Sequence, residues 1–171
     1  MARKTLYIIA GIVVLIILGI LAANRSNEND ITELQPRQAP EFRLKDYGGR
    51  EVSSAEFKGK PLVINSWAAW CPFCVQELPD FAVLQEEFGD KIAVIAVDRA
   101  EPLATAKEFS DRRGVTGRII LLLDPEDSFY QSVGGFSMPE TIFVDRDGFI
   151  RDHKRGPMDL IEMRRRVEKI L

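Results

Sequence analysis

Residues 67–74 of the chain read Trp67-Ala68-Ala69-Trp70-Cys71-Pro72-Phe73-Cys74, and they include both of its cysteines. The apolar run Leu62-Val63-Ile64 comes shortly before this stretch, as expected of a buried strand. After it, apolar side chains recur at three- and four-residue steps from Val75 to Phe88, which predicts a helix with one apolar face. The cysteine pair therefore lies where a strand gives way to a helix.

The first turn of a helix has unpaired backbone N–H groups and a partial positive charge, which together favour an anion such as a thiolate. We therefore expect Cys71, at the exposed mouth of the helix, to have a lowered pKa and to attack disulfides. Cys74, one turn further in and more buried, is expected to resolve the mixed disulfide. Pro72 fits this placement, because proline is tolerated in the first helical turn.

Two other interpretations of a Cys-x-x-Cys pair have weaker support. A structural zinc site needs four ligands, but the chain has no third cysteine and only one histidine, His153. An inert structural disulfide is disfavoured because so short a loop gains little chain-entropy stabilisation. The sequence thus predicts a redox-active Cys71–Cys74 disulfide, with no metal and no other cofactor.

Five further stretches accompany the pair: Ala39-Pro40-Glu41-Phe42-Arg43-Leu44, Gly59-Lys60-Pro61, Asn65-Ser66 before Trp67, Glu77-Leu78-Pro79 and Met138-Pro139-Glu140-Thr141. Together they resemble the thioredoxin superfamily and, within it, the TlpA-like membrane-anchored thiol–disulfide oxidoreductases, a group that includes proteins serving cytochrome c maturation. The resemblance runs from about Ala39 to the C-terminus. It implies an α/β domain with the thioredoxin-like fold, in which helices flank a central mixed sheet.

The resemblance also assigns residues to substrate binding. Met138-Pro139 stands where thioredoxin-like folds have a proline with a cis peptide bond facing the dithiol, which lets Met138 offer its N–H and C=O to an extended substrate chain. Trp70 is placed beside the dithiol, where it can shield the sulfurs from water. Pro72 completes this predicted substrate surface, and both Trp67 and Trp70 are expected to be partly buried in the core.

Glu77 is the predicted proton acceptor for Cys74. Cytoplasmic thioredoxins have a buried acid six residues before the first cysteine, but this chain has Asn65 there, and asparagine cannot take a proton. The TlpA-like group instead has a glutamate three residues after the second cysteine, which here is Glu77. One helical turn separates it from Cys74. The alternative is an ordinary glutamate on the helix surface.

The N-terminal segment is predicted to be a retained membrane anchor over residues 1–23. Leu6 to Ala23 contains eighteen residues without a charge, which is longer than a usual signal-peptide core and ends without a good small-x-small cleavage site. A cleaved signal peptide is the alternative. Arg3 and Lys4 precede the segment, which favours a cytoplasmic N-terminus and an extracytoplasmic domain. Residues 24–38 are polar and predict a linker to the domain at 39–171.

The charge of the exported part excludes some partners. Without Arg3 and Lys4, 21 basic residues face 26 acidic ones, a formal charge of minus five. This balance argues against nucleic acid or an anionic lipid surface. The predicted partners are exported proteins with thiols or disulfides, the membrane through the anchor and, from the resemblance, a membrane-embedded electron donor.

Alternating strands and helices follow the active-site helix and predict a mainly parallel sheet with right-handed crossovers. They are a strand at 92–97, a helix at 101–113, a strand at 119–123, a helix at 126–133, an antiparallel hairpin of 141–144 with 149–153, and a helix at 158–171.

The sequence is compatible with several functions. A thiol–disulfide oxidoreductase that reduces its substrates is favoured by the resemblance, whereas Pro72 directly after Cys71 also suits a protein disulfide oxidant or isomerase. A thiol peroxidase would need proline and threonine or serine where the chain has Ile64 and Ala68. A copper-binding chaperone of related fold would need a wider cysteine spacing and a histidine ligand.

Overall fold

The structure is a computed structural model that describes residues 13–17 and 37–171. Residues 13–17 are helical and exposed. Within these ranges no helix has both the length and the apolar character needed to cross a membrane. The predicted anchor at 1–23 and linker at 24–38 lie outside the described residues, except for 13–17 and for 37 and 38.

Residues 37–171 form a single compact unit around one mixed sheet. The seven strands of the sheet are β1 (Arg43–Asp46), β2 (Glu51–Ser53), β3 (Leu62–Trp67), β4 (Ala93–Arg99), β5 (Ile120–Asp124), β6 (Glu140–Val144) and β7 (Ile150–Arg155). The α-helices of the unit are α1 (Pro72–Phe88), α2 (Leu103–Arg112), α3 (Ser128–Val133) and α4 (Leu160–Val167). The strand order is β2-β1-β5-β4-β3-β6-β7. This is the predicted thioredoxin-like architecture.

The expectation of a mainly parallel sheet is wrong. Only the pairs β3–β4 and β4–β5 are parallel, and the other four pairs in the described sheet are antiparallel. The reason is that β6 returns beside β3 in the opposite direction and continues through a tight turn into β7. Gly148 adopts a φ of 86° in that turn, which the predicted Asp147-Gly148 pair allows.

The central strands are buried because helices cover both faces of the sheet. All six residues of β3 are buried, and its alternate side chains enter different cores. On one face, Val63 and Trp67 join a cluster with both cysteines and with side chains of α1 and α4. On the other face, Leu62 and Ile64 pack in a cluster that includes Phe129 and Val133 of α3.

The predicted elements after α1 are confirmed, with shifted ends. The final helix begins at Leu160 rather than at 158, because the side chain of Asp159 caps it by accepting a hydrogen bond from the Glu162 amide at 2.8 Å. At the start of the unit, Gln38 pairs with Phe149 and the Ile150 amide donates to the Arg37 carbonyl at 2.8 Å. The chain from Arg37 onward is therefore joined to the β6–β7 hairpin.

Candidate active site

The two cysteines form a disulfide at the N-terminus of α1. Cys71 is the N-cap of the helix, and Pro72 is its first residue. The Cys71 Sγ accepts a hydrogen bond from the Cys74 amide at 3.2 Å. This amide is one of the donors left free in a first helical turn, so it is placed to stabilise a thiolate on Cys71 after reduction.

The expected exposure of Cys71 is wrong for this oxidised state. Cys71 is only 3% exposed and Cys74 is fully buried. The reason is that the Cys71 sulfur is bonded to Cys74 and lies against the start of the helix, where it accepts the Cys74 amide. The exposed groups are instead the flanking side chains Trp70 and Phe73, at 60% and 54%.

Of the two tryptophans, Trp67 is fully buried, whereas Trp70 is not the partly buried core residue that was expected. The indole of Trp70 lies 6.0 Å from the guanidinium of Arg99, which also stacks over Tyr130 at 3.8 Å. Arg99 is itself held by an ion pair with Asp127. Trp70 therefore lies on the surface beside the dithiol, against a fixed cation.

Glu77 is buried inside the domain, so it is not a glutamate of the helix surface. It is 2% exposed, and its two oxygens accept separate hydrogen bonds: Oε1 from the Asn65 side-chain amide at 3.0 Å, and Oε2 from the Met158 backbone amide at 3.1 Å. Asn65 also donates to the Thr141 hydroxyl at 2.9 Å. These contacts link α1 to strands β3 and β6 and to the segment before α4.

Burial raises the pKa of Glu77 to about 8, and the hydrogen bonds from Met158 and Asn65 oppose that rise only in part. An ordinary thiol has a pKa of about 8.5, so the carboxyl and a thiol of this kind hold protons with similar strength. Glu77 is one helical turn after Cys74. A carboxyl with such a pKa can exchange a proton with a thiol near neutral pH.

The loop before β6 contains the predicted cis peptide bond between Met138 and Pro139, which is confirmed. Met138 packs against the core cluster that holds both cysteines. The Tyr130 hydroxyl donates to the Ser137 carbonyl at 3.1 Å, and the Gly156 amide donates to the Pro139 carbonyl at 2.9 Å. These contacts hold the loop on both sides of Met138.

Sequence reasoning missed two charged residues around the dithiol. Arg99 is one, through its stacking on Trp70, and Glu101 is the other, because its Oε2 accepts a hydrogen bond from the Ala69 amide at 2.7 Å. Both follow the apolar run of β4. The signal in the sequence that could have identified them was their position at the carboxyl end of a central parallel strand, next to the end of β3.

Comparison with known proteins places the chain among thioredoxin-fold relatives. Residues 35–171 match the Redoxin family. The chain is 31% identical over 166 residues to thioredoxin-like protein YneN of Bacillus subtilis, which covers 94% of this chain and 96% of that protein. It is 29% identical over 133 residues to thiol-disulfide oxidoreductase ResA of Geobacillus thermodenitrificans, covering 77% of this chain and 75% of that one.

Solved structures agree with this placement. The structure of MTB DsbF in its mixed oxidized and reduced forms matches with a TM-score of 0.71 and 27% identity, over 76% of this chain and 95% of that one. A thioredoxin family thiol:disulfide interchange protein from Chlorobium tepidum matches with a TM-score of 0.71 at 23% identity, over 80% of this chain and 97% of that one. The second match is evidence for the fold alone.

Proposed function

The chain belongs to the Redoxin family and is a thiol–disulfide oxidoreductase, and we propose that its Cys71–Cys74 pair reduces disulfides in exported proteins. The observation that carries the proposal is the position of the pair. Cys71 caps α1 and accepts the Cys74 amide, while the buried carboxyl of Glu77 lies one turn further along the helix.

The proposed reaction starts from the reduced dithiol. The Cys71 thiolate attacks one sulfur of a substrate disulfide, forms a mixed disulfide and releases the other substrate sulfur as a thiolate, which takes a proton from water. Cys74 then gives its proton to the ionised form of Glu77 and attacks the Cys71 sulfur. The second substrate thiolate leaves, two electrons have passed to the substrate, and the disulfide seen in the structure has formed.

Substrate binding is assigned to the surface around the pair. Trp70 and Phe73 are exposed on either side of Cys71, and Pro72 lies between them. Met138 and Pro139 contribute the neighbouring loop, whose backbone can pair with an extended chain. A surface of this kind suits an unfolded or extended cysteine-containing segment of a protein better than a small polar thiol.

The proposed location is the outer side of a membrane. The support is the charge-free segment from Leu6 to Ala23, preceded by Arg3 and Lys4. A retained anchor keeps the N-terminus in the cytoplasm and the dithiol outside, close to a membrane-embedded donor that returns electrons to Cys71–Cys74. The disulfide is the only redox group that this proposal needs, so no separate cofactor is invoked.

A protein disulfide oxidant is the second candidate. It is favoured by the hydrogen bond that the Cys74 amide donates to the Cys71 sulfur. Stabilising a thiolate on Cys71 stabilises the reduced protein and makes the disulfide more oxidising. The buried Glu77 acts in the opposite direction once ionised, since its negative charge disfavours nearby thiolates. The balance of these two effects decides the direction of electron flow.

The reduction potential of the full chain in detergent, measured against defined thiol–disulfide buffers, separates the two candidates. A reductant is expected near the potential of thioredoxin, about −270 mV, or below it, whereas a DsbA-like oxidant has about −120 mV. Cys71→Ser is the control, since it removes the transition. Peroxide consumption and copper titration of the same sample test the peroxidase and copper-chaperone alternatives.

A further inference from the structure

Asp98 is a buried acid that the proposed reaction does not use. It is the sixth residue of β4 and is fully buried, beside Trp67 of β3 and Leu123 of β5 in the strand register. Within residues 37–171, neither of its carboxyl oxygens has a hydrogen-bond partner. A buried carboxylate without a well-formed hydrogen bond is costly, and the backbone amide of Glu101 offsets that cost only in part, so the neutral acid is favoured at this position.

Glu101 supplies the missing partner when one proton is present. Its carboxyl lies next to that of Asp98, and two carboxyl groups can form a hydrogen bond only if one of them is protonated. Burial and the Glu101 carboxyl together raise the pKa of Asp98 to about 9. Asp98 therefore keeps its proton over the neutral range and can share it with the Glu101 carboxyl.

The pair is joined directly to the loop that carries the dithiol. Glu101 accepts the Ala69 amide at 2.7 Å, and Ala69 is two residues before Cys71. Trp67, at the end of β3, is in the same core cluster as both cysteines. A change in the charge or position of Glu101 is therefore transmitted to the segment between β3 and α1.

Among the described residues, no positively charged side chain contributes to the raised pKa of Asp98 or of Tyr47. The Tyr47 phenol is buried nearby, and its pKa is raised by burial and then by Asp98, with smaller effects of Glu101 and Asp111. The indole N–H of Trp67 is buried in the same layer and neutral. Loss of the shared proton would thus place two carboxylates side by side in a poorly solvated region.

We propose that Asp98 and Glu101 are a positioning pair for the dithiol, in which one shared proton keeps Glu101 on the Ala69 amide and loss of that proton to solvent at alkaline pH disturbs the segment before Cys71. This role rests on the proposed function only in assuming that the dithiol cycles between oxidised and reduced forms. It holds for a reductant and for an oxidant.

The first test follows the Ala69 amide by NMR in the oxidised full chain, because the cysteines do not titrate in that form. The amide shift is expected to change with a midpoint near pH 9. Asp98→Asn should abolish that titration, since an amide donor replaces the shared proton permanently. Glu101→Gln should lower its midpoint, since the second carboxyl no longer raises the pKa of Asp98. Glu77→Gln should leave the midpoint in place, which separates this pair from the other buried acid.

The second test measures the equilibrium constant with dithiothreitol at pH 7 and pH 10. A like charge near a thiolate typically changes the pKa of the thiol by about one unit. The equilibrium constant at pH 10 divided by that at pH 7 should therefore differ about tenfold between the wild type and Asp98→Asn. Asp90→Asn, at an exposed turn, is the matched control and should keep the wild-type ratio.

An Ala69 amide that does not titrate between pH 8 and 10, a titration that persists in Asp98→Asn, or an unchanged midpoint in Glu101→Gln would overturn the proposal. The wild-type titration and Glu101→Gln still decide the question if Asp98→Asn fails to fold. The potential at neutral pH tests the proposed direction of electron flow, and its change with pH tests the pair, so the two failures are distinguishable.

Discussion

Replacing Glu77 with glutamine is expected to raise stability and slow catalysis at the same time. Glutamine keeps the size of the side chain and an oxygen that can accept one of the bonds from Asn65 and Met158, but it cannot ionise. The native carboxyl has a pKa of about 8, against an ordinary value of 4.5. The native state therefore binds this proton more tightly than the unfolded state does.

The sign and size of the stability effect follow from that difference. Because the native pKa is raised, the contribution of Glu77 to stability is largest below pH 4.5 and falls as pH rises through the window up to about 8, above which the loss is complete. At about 1.4 kcal/mol per pH unit, the free energy of unfolding that is lost across this window is on the order of 5 kcal/mol. In Glu77→Gln this pH-dependent loss should disappear.

The rate effect has the opposite sign. Loss of a proton acceptor typically lowers a rate by about a hundredfold or more. The negative charge of Glu77 also opposes thiolate formation, but that effect is typically about one pKa unit, so the rate loss dominates near neutral pH. Stopped-flow exchange of the reduced protein with a protein disulfide, from pH 5 to 10, should show an inflection near 8 in the wild type only.

The matched control for both measurements is Glu86→Gln, an exposed glutamate on the same helix that pairs with Arg118. It should leave the pH–rate profile, and the pH dependence of unfolding above about pH 5, unchanged. An unchanged profile in Glu77→Gln would refute the proton-transfer role. A rate loss of equal size at every pH would indicate a packing defect instead.

Asn65→Ala removes a donor to Glu77, so it should raise the pKa of that carboxyl further and move the pH–rate inflection upward; a downward move would contradict the assigned hydrogen bond. On reduction, iodoacetamide should label Cys71 before Cys74, as peptide mass spectrometry would show, and preferential labelling of Cys74 would reverse the assignment. Fractionation should recover the chain in membranes, with the domain open to protease on intact cells, whereas a soluble exported species beginning near Asn24 would identify a cleaved signal peptide.

Much of the fold follows from local patterns in the chain. The buried runs of β3 and β4, the Asp147-Gly148 turn and the strand-to-helix boundary at Cys71 all have strong local signals, and each element is present. The sheet pairing had no such signal, because the return of β6 beside β3 depends on contacts far apart in sequence. The antiparallel share of the sheet was therefore underestimated.

In the candidate site, too, local motifs were predictable from the sequence and contacts between distant segments were not. The cysteine pair and the cis bond before Pro139 were predictable from motifs, and the family resemblance is confirmed. Burial was not predictable, since it depends on what packs over a residue: Cys71 is covered in the oxidised state, whereas Trp70 lies outside. Glu101 was missed because its contact with Ala69 joins segments 32 residues apart.

The most direct test of the central claim is the trapping of a mixed disulfide. Reduced Cys74→Ser protein should form a covalent complex with a disulfide-containing protein substrate, seen by non-reducing mass spectrometry and released by dithiothreitol, because the resolving step is absent. Cys71→Ser should trap none. A complex formed through Cys74 in Cys71→Ser, with none through Cys71 in Cys74→Ser, would contradict the account.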